Sequence, residues 1–170
     1  MYLENGLLKP TVTDYGIYGF FGPYRFLSNF CAAPLLVDGI QYPSSEHAYM
    51  AQKTTDDALR RELAAIPTCR EVKARGQQLV LRPGWLELRA TVMLEVLRAK
   101  FRQNPILREK LLATNSLYLE ETNNWGDTYW GVCGGKGLNM LGKTLMQVRN
   151  ELHEQVGTPS SGQSDLFGHL

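Results

Sequence analysis

The sequence predicts an α+β fold, a helix-rich single domain with a few short strands. Three observations lead there. Capping residues followed by apolar positions three and four apart recur along residues 44–152. A short apolar segment, LLVDGIQY at residues 35–42, carries Asp38-Gly39 at its middle, which is hairpin-turn chemistry. A chain of 170 residues suffices for one well-filled core but not for two large ones.

The elements follow in order. Residues 1–19 mix Gly, Tyr, Pro and Thr without helical period and read as a strand-and-loop extension. Residues 20–155 form the main domain, opening with the aromatic, turn-rich FFGPYRFLSNFCAAP. After the hairpin, Ser44 or Ser45 caps a helix expected to run through Lys53, because a hydroxyl accepts an orphan N–H. A second helix starts near Thr55, with Asp56 and Asp57 favourable in its first turn. Thr68-Cys69-Arg70-Glu71 is a capping box for a third. Pro83 opens a long helix with two apolar stripes (Trp85, Leu88, Val92, Val96 and Leu86, Ala90, Met93, Leu97, Phe101), which predicts burial on most sides. Asn104-Pro105 starts another. A last helix carries Leu138, Leu141, Leu145, Val148 and Leu152. Between these lie a short strand (SLYLEE) and the loop TNNWGDTYWGVCGG. Residues 156–170 read as a flexible tail, since GTPSSGQSD is too small and polar to pack.

Composition excludes several classes. The net charge of +1 provides no global field for nucleic acid or membrane, so a nucleic-acid substrate requires a local basic grip. No apolar run approaches the ~20 residues of a membrane span. Cys31, Cys69 and Cys133 are odd in number and far apart, without a CxxC pair. They read as small buried thiols in a reducing cytoplasm, with no metal site and no cofactor.

Residues 137–144, GLNMLGKT, match the phosphate-loop pattern letter for letter. That loop needs a buried strand before it and several strands after it. Here GVCGGK precedes and one helix follows, so Gly142 reads instead as a point of close helix packing.

A few residues can carry chemistry. Glu46 and Lys53 stand seven apart, which on one helix means one face, two turns and ~10.5 Å of separation, with Tyr49 and Met50 between. On spacing alone a solvated charged face without a role is the better account of them. The WGDTYWG loop is either the wall of a binding cleft, with Asp127 active in proton transfer, or an aromatic plug of the core with Asp127 capping a turn. Arg25, ahead of Ser28, Asn29 and Phe30, suits phosphate, as do Lys136 and Lys143, each weakly.

Seven pieces in one order then resemble the YbiA-like, or NADAR, family: FLSNF at 26–30, VDGIQYPSSEH at 37–47, AQK at 51–53, the helix opened by Trp85, LRAKF at 97–101, DTYWG at 127–131 and GKGLNMLGKTLMQVR at 135–149. The resemblance covers about residues 20–152 and implies a helix-rich N-glycosidase. Some members act on ribosylamino-pyrimidine phosphates of riboflavin biosynthesis; others remove ADP-ribose from guanine. It implies that Glu46 is the site acid, that Lys53 attacks the ribose anomeric carbon to form a Schiff base, and that Asp127, Trp130 and Trp85 are site residues. The expected substrate-binding set is Arg25, Ser28, Asn29, Phe30, Tyr49, Trp85, Trp130, Gly131, Lys136 and Asn139. One departure is Val132-Cys133-Gly134, where the family's namesake has an acidic residue.

The chemistry is coherent, since burial beside aromatic rings favours the neutral amine needed for attack. The expectation is removal of ADP-ribose from guanine in DNA or nucleotides, with the pyrimidine hydrolase as the alternative and a non-catalytic ADP-ribose sensor as the alternative from another class. Gln163, Leu166 and Phe167 in QSDLF resemble the peptide with which bacterial proteins dock on the DNA sliding clamp, and a disordered end explains the same residues.

Overall fold

The core is built around a long helix that packs against the first, fifth and sixth helices and one arm of the central hairpin. The computed structural model of the chain describes residues 2–4 and 7–157; the QSDLF motif lies outside them. Strands β1 (Tyr2–Glu4) and β2 (Leu7–Lys9) pair antiparallel. Strand β3 (Thr11–Val12) pairs antiparallel with β4 (Gly16–Tyr18). β4 in turn pairs in parallel with the distant β7 (Tyr118–Glu120). A 3-10 turn, Gly22–Leu27, leads into the hairpin β5 (Ala32–Val37) and β6 (Ile40–Ser44). Asp38 and Gly39 make its turn with φ of 49° and 74°, the left-handed pair that the Asp-Gly sequence predicts.

The helices are α1 (Ser45–Ala51), α2 (Asp57–Ala65), α3 (Cys69–Gln77), α4 (Trp85–Gln103), α5 (Pro105–Leu112) and α6 (Met140–Gly157). The caps are as expected for three of them. Ser44 accepts from His47 N, Asp56 from Ala58 N and Leu59 N, and Thr68 from Glu71 N. Asn104 instead donates to the Pro34 and Lys100 carbonyls, tying α4 to β5. Two short strands, β8 (Thr122–Asn123) and β9 (Val132–Cys133), pair in parallel.

Three expectations need correction. α1 ends at Ala51, before Lys53. Lys53 N and Thr54 N bond back three residues, and the Lys53 carbonyl is taken by Arg82 N at 2.8 Å, so the helix cannot propagate. The long helix is less enclosed than its two stripes predict: Trp85, Met93, Val96, Leu97 and Phe101 are buried, but Leu86 and Leu88 face solvent. Leu138 is exposed and precedes α6, because Asn139 at φ 53° breaks the phase of the leucine stripe. Gly142 does permit close packing, since a Cβ there would strike the Leu119 carbonyl.

Lys100 is fully buried on α4 and donates to the Phe26 and Ser28 carbonyls at 2.7 and 3.0 Å. It thereby fixes the FLSN segment over the core, and burial pulls its ammonium down to about 8. Arg98 grips Glu151 through two nitrogens at 2.8 and 2.6 Å, joining α4 to α6. No helix is long and apolar enough to cross a membrane among the described residues.

Candidate active site

One wall of the site is the start of α1. Glu46 lies in the first turn, 5% exposed, with its backbone N–H bonded to the Asn29 carbonyl at 3.1 Å. Burial pushes its carboxyl up to about 7; the charges of Lys73 and Lys53 offset only part of that rise, and Asp127 adds to it. Lys53 approaches from the turn beyond the helix, and its Nζ donates to the Gly76 carbonyl at 3.1 Å. Desolvation lowers its pKa, Lys73 lowers it further, and Glu46 opposes both. The two-turn spacing on one helix is therefore not how these groups meet; the chain turn after Ala51 brings Lys53 round to the same chamber as Glu46.

Tyr49 separates them from the aromatic wall. Its ring packs 5.3 Å from Trp85 and 5.3 Å from Trp130, the latter edge-on, and Trp130 meets Tyr129 at 4.9 Å. Arg89 sits 3.5 Å over the Tyr129 ring, with its Nε buried and without a hydrogen-bond partner.

The opposite wall is the loop after β7. Asn123 brackets Asp127, accepting from its N–H at 3.1 Å and donating to its carbonyl at 2.8 Å. Asp127 Oδ1 accepts from Tyr129 N and Trp130 N at 3.1 and 2.8 Å. Asp127 thus caps a turn and also lines the cleft.

The cleft has two chambers. The larger, about 650 Å³, is bounded by the FLSNF segment, α3 and the loop, and takes in Arg25, Ser28, Asn29, Phe30, Asp127 and Trp130. The smaller, about 390 Å³, contains Glu46, Tyr49, Lys53 and Trp85. They share Lys73, Gln77, Trp125, Asp127 and Trp130, so they are two ends of one site. Gly131, Lys136 and Asn139 are not on either wall. Lys136 closes a turn by exchanging backbone bonds with Cys133. A side chain at Gly131 would collide with the Glu121 carbonyl. Asn139 is buried, accepting from Glu121 N at 3.1 Å and donating to the Leu119 carbonyl at 2.8 Å. These three shape the loop and do not line either chamber.

Sequence reasoning missed Arg70, Lys73 and Gln77 on α3, Arg89 on α4 and Glu121 after β7. Glu121 was findable: residues two apart on a strand share a face, and Leu119 is buried. Its carboxyl is also pushed up to about 7, chiefly by burial and then by Asp127. No motif marks the α3 residues. Among the described residues no cluster of His, Cys, Asp and Glu is placed to hold a metal.

This arrangement joins an amine biased toward its neutral form to a carboxyl biased toward its protonated form. Such a pair can supply a nucleophile and a proton donor to one space.

The NADAR domain matches residues 15–153. The chain is 39% identical over 150 residues to N-glycosidase YbiA of Escherichia coli, covering 86% of this chain and 91% of that protein. It is 36% identical over 142 residues to an N-glycosidase of Nostoc punctiforme, covering 79% of this chain and 90% of that one. A riboflavin biosynthesis protein of Vibrio vulnificus is 37% identical over 155 residues; the match takes 88% of this chain but 42% of that protein. The NMR structure of E. coli YbiA superposes with a TM-score of 0.76 at 36% identity, covering 90% of this chain and 94% of that one. With the domain match spanning most of the chain and the site residues gathered in one cleft, the chain belongs to the NADAR family.

Proposed function

We propose that this chain is an N-glycosidase that hydrolyses the bond between a base and a ribose, and that its substrate is guanine carrying ADP-ribose, in DNA or in a nucleotide. The observation that carries the reaction class is the buried Glu46 carboxyl, held up to about 7, in one chamber with a Lys53 whose pKa is lowered. The names of the YbiA relatives support the same class.

Lys53 attacks C1′ of the ribose as its neutral amine. The C1′–N bond breaks, its electron pair goes to the base nitrogen, and the Glu46 proton follows it there. The attached ammonium then returns a proton to the Glu46 carboxylate. The ring oxygen leaves C1′, taking that proton, and a C1′=Nζ iminium forms. Water adds to C1′, losing its proton to a carboxylate, and the free sugar departs as Lys53 is released. Tyr49 and Trp130 keep the junction dry, which favours the neutral forms of both groups.

Cations at both ends of the cleft support a substrate with more than one phosphate. Arg25, Arg70 and Lys73 border the larger chamber, and Arg89 lies in the smaller one. ADP-ribose carries two phosphates. A ribosylamino-pyrimidine phosphate is the second reading, favoured by the riboflavin-biosynthesis name of the Vibrio relative. The tail residues Gln163, Leu166 and Phe167 fit the DNA reading, as a leash to a bacterial sliding clamp.

The test is mass-spectrometric product analysis with both substrates in parallel. Release of ADP-ribose from guanine supports the DNA reading, and loss of clamp binding on deleting residues 158–170 would extend it. Turnover of the pyrimidine alone selects the second reading. Tight ADP-ribose binding without turnover of either substrate refutes the enzyme and leaves a sensor.

A further inference from the structure

The larger chamber is polarised in a way that the proposed reaction does not use. Arg25 and Arg70 are exposed at its edge, while Asn29 and Glu121, which also line it, each carry a side-chain oxygen that is shut off from solvent and has no hydrogen-bond partner. One is Asn29 Oδ1, on a side chain 8% exposed whose Nδ2 points to Met93 Sδ at 3.4 Å. The other is Glu121 Oε2, shielded from solvent. A buried acceptor without a donor destabilises a fold, and neither supports its surroundings through that oxygen.

Glu121 is also held with unusual firmness. Its N–H is bonded to Asn139 Oδ1 at 3.1 Å and its carbonyl accepts from Val132 N at 2.9 Å. The missing side chain at Gly131 lets the loop pass against that carbonyl. The backbone is fixed on both sides while the carboxylate tip is left free. Such a group is preorganised for a donor that comes from outside the protein. Phe30 and Trp130 line the same chamber, aromatic residues against which a planar ring can pack.

We propose that Glu121 is the base-reading residue of this site, its carboxylate accepting the adjacent amino and imino N–H groups of a 2-amino-6-oxopurine, with Asn29 Oδ1 accepting a further N–H. This rests on the N-glycosidase reading for its placement of the base, and it adds the specificity that the reading lacks. A carboxylate takes two parallel N–H donors in one plane, and a base without the 2-amino group leaves one oxygen buried and unpaired. Burial holds the empty carboxyl up to about 7, and a bound N–H pair favours its ionised form.

The experiment uses the full chain at pH 8 and needs no turnover. Guanosine 5′-monophosphate and inosine 5′-monophosphate differ by the 2-amino group and share the phosphate, so the exposed cations cancel. Calorimetry on the native chain is expected to show guanosine monophosphate binding about 10- to 100-fold tighter. Glu121→Gln is expected to remove most of that difference, with guanosine monophosphate losing more affinity than inosine monophosphate; a merely structural residue would weaken both alike and keep the preference. If the Gln variant does not fold, Glu121→Asp retracts the carboxylate and should shrink the same preference. Equal binding of both nucleotides by the native chain, or a preference that survives in a folded Gln variant, overturns the proposal. Absence of turnover with intact base preference would instead remove the glycosidase reading and leave the base site standing.

Discussion

The two chambers of the cleft differ in what borders them. The smaller is bordered by the starts of α1 and α4 and by aromatic rings, and Glu46 and Lys53 in it are shifted toward their neutral forms. The larger is bordered by exposed arginines and by Asn29 and Glu121, each with a buried oxygen that has no partner. Under the proposed reaction the first holds the groups that move protons and the second the groups that select the ligand. The residues common to both, Asp127 and Trp130 among them, stand where a bond between the two halves of a substrate would lie.

Substitutions on the two sides should therefore fail differently. Lys53→Ala is expected to have the largest effect, a fall in kcat of about 1,000-fold or more, read by single-turnover product analysis. Glu46→Gln comes next, with about 100- to 10,000-fold lost from kcat, as for removal of a general acid. In the native chain the rate should fall as pH rises through about 7, because Glu46 then loses the proton it donates. The falling limb should stay in place in Glu121→Gln. If it moves with Glu121 instead, the proton donor has been misassigned.

Arg25→Ala and Arg70→Ala act on the other chamber and should raise KM by about tenfold with kcat kept, more at low salt than at high. An equal fall in kcat would place these cations at the reacting centre and dissolve the division.

The smallest effect is on stability. The Glu46 pKa is raised on folding, so the folded state holds a proton that the unfolded chain gives up between pH 4.5 and about 7. Stability contributed by the protonated form is present below pH 4.5 and is lost as pH rises through that window. Glu46→Gln should therefore raise the melting temperature at pH 8 by a few degrees, reflecting about 1–3 kcal/mol, and change little at pH 4.

The sequence disclosed the chemistry-bearing side better than the recognition side. Caps at Ser44, Asp56 and Thr68 are local hydrogen-bond chemistry, and each sits where its residue type indicates. The Asp38-Gly39 turn is equally local. Lys53 shows the limit: its place in the chamber depends on a bond from Arg82, 29 residues on, that ends α1 early. Arg70 and Lys73 look like ordinary helix-surface cations, and only the approach of the FLSNF segment makes them a cleft wall. Asn139 and Gly131 lie within motif pieces, yet they act on Glu121 through backbone contacts that spacing does not encode.

The account turns on Lys53 as the nucleophile, and borohydride trapping tests it most directly. The purified full chain is mixed with substrate, reduced during turnover, digested and mapped by mass spectrometry. The expected result is a stable ribosyl adduct on Lys53 and none in Lys53→Ala. Full turnover with no adduct on any lysine, or undiminished activity in Lys53→Ala, would contradict it.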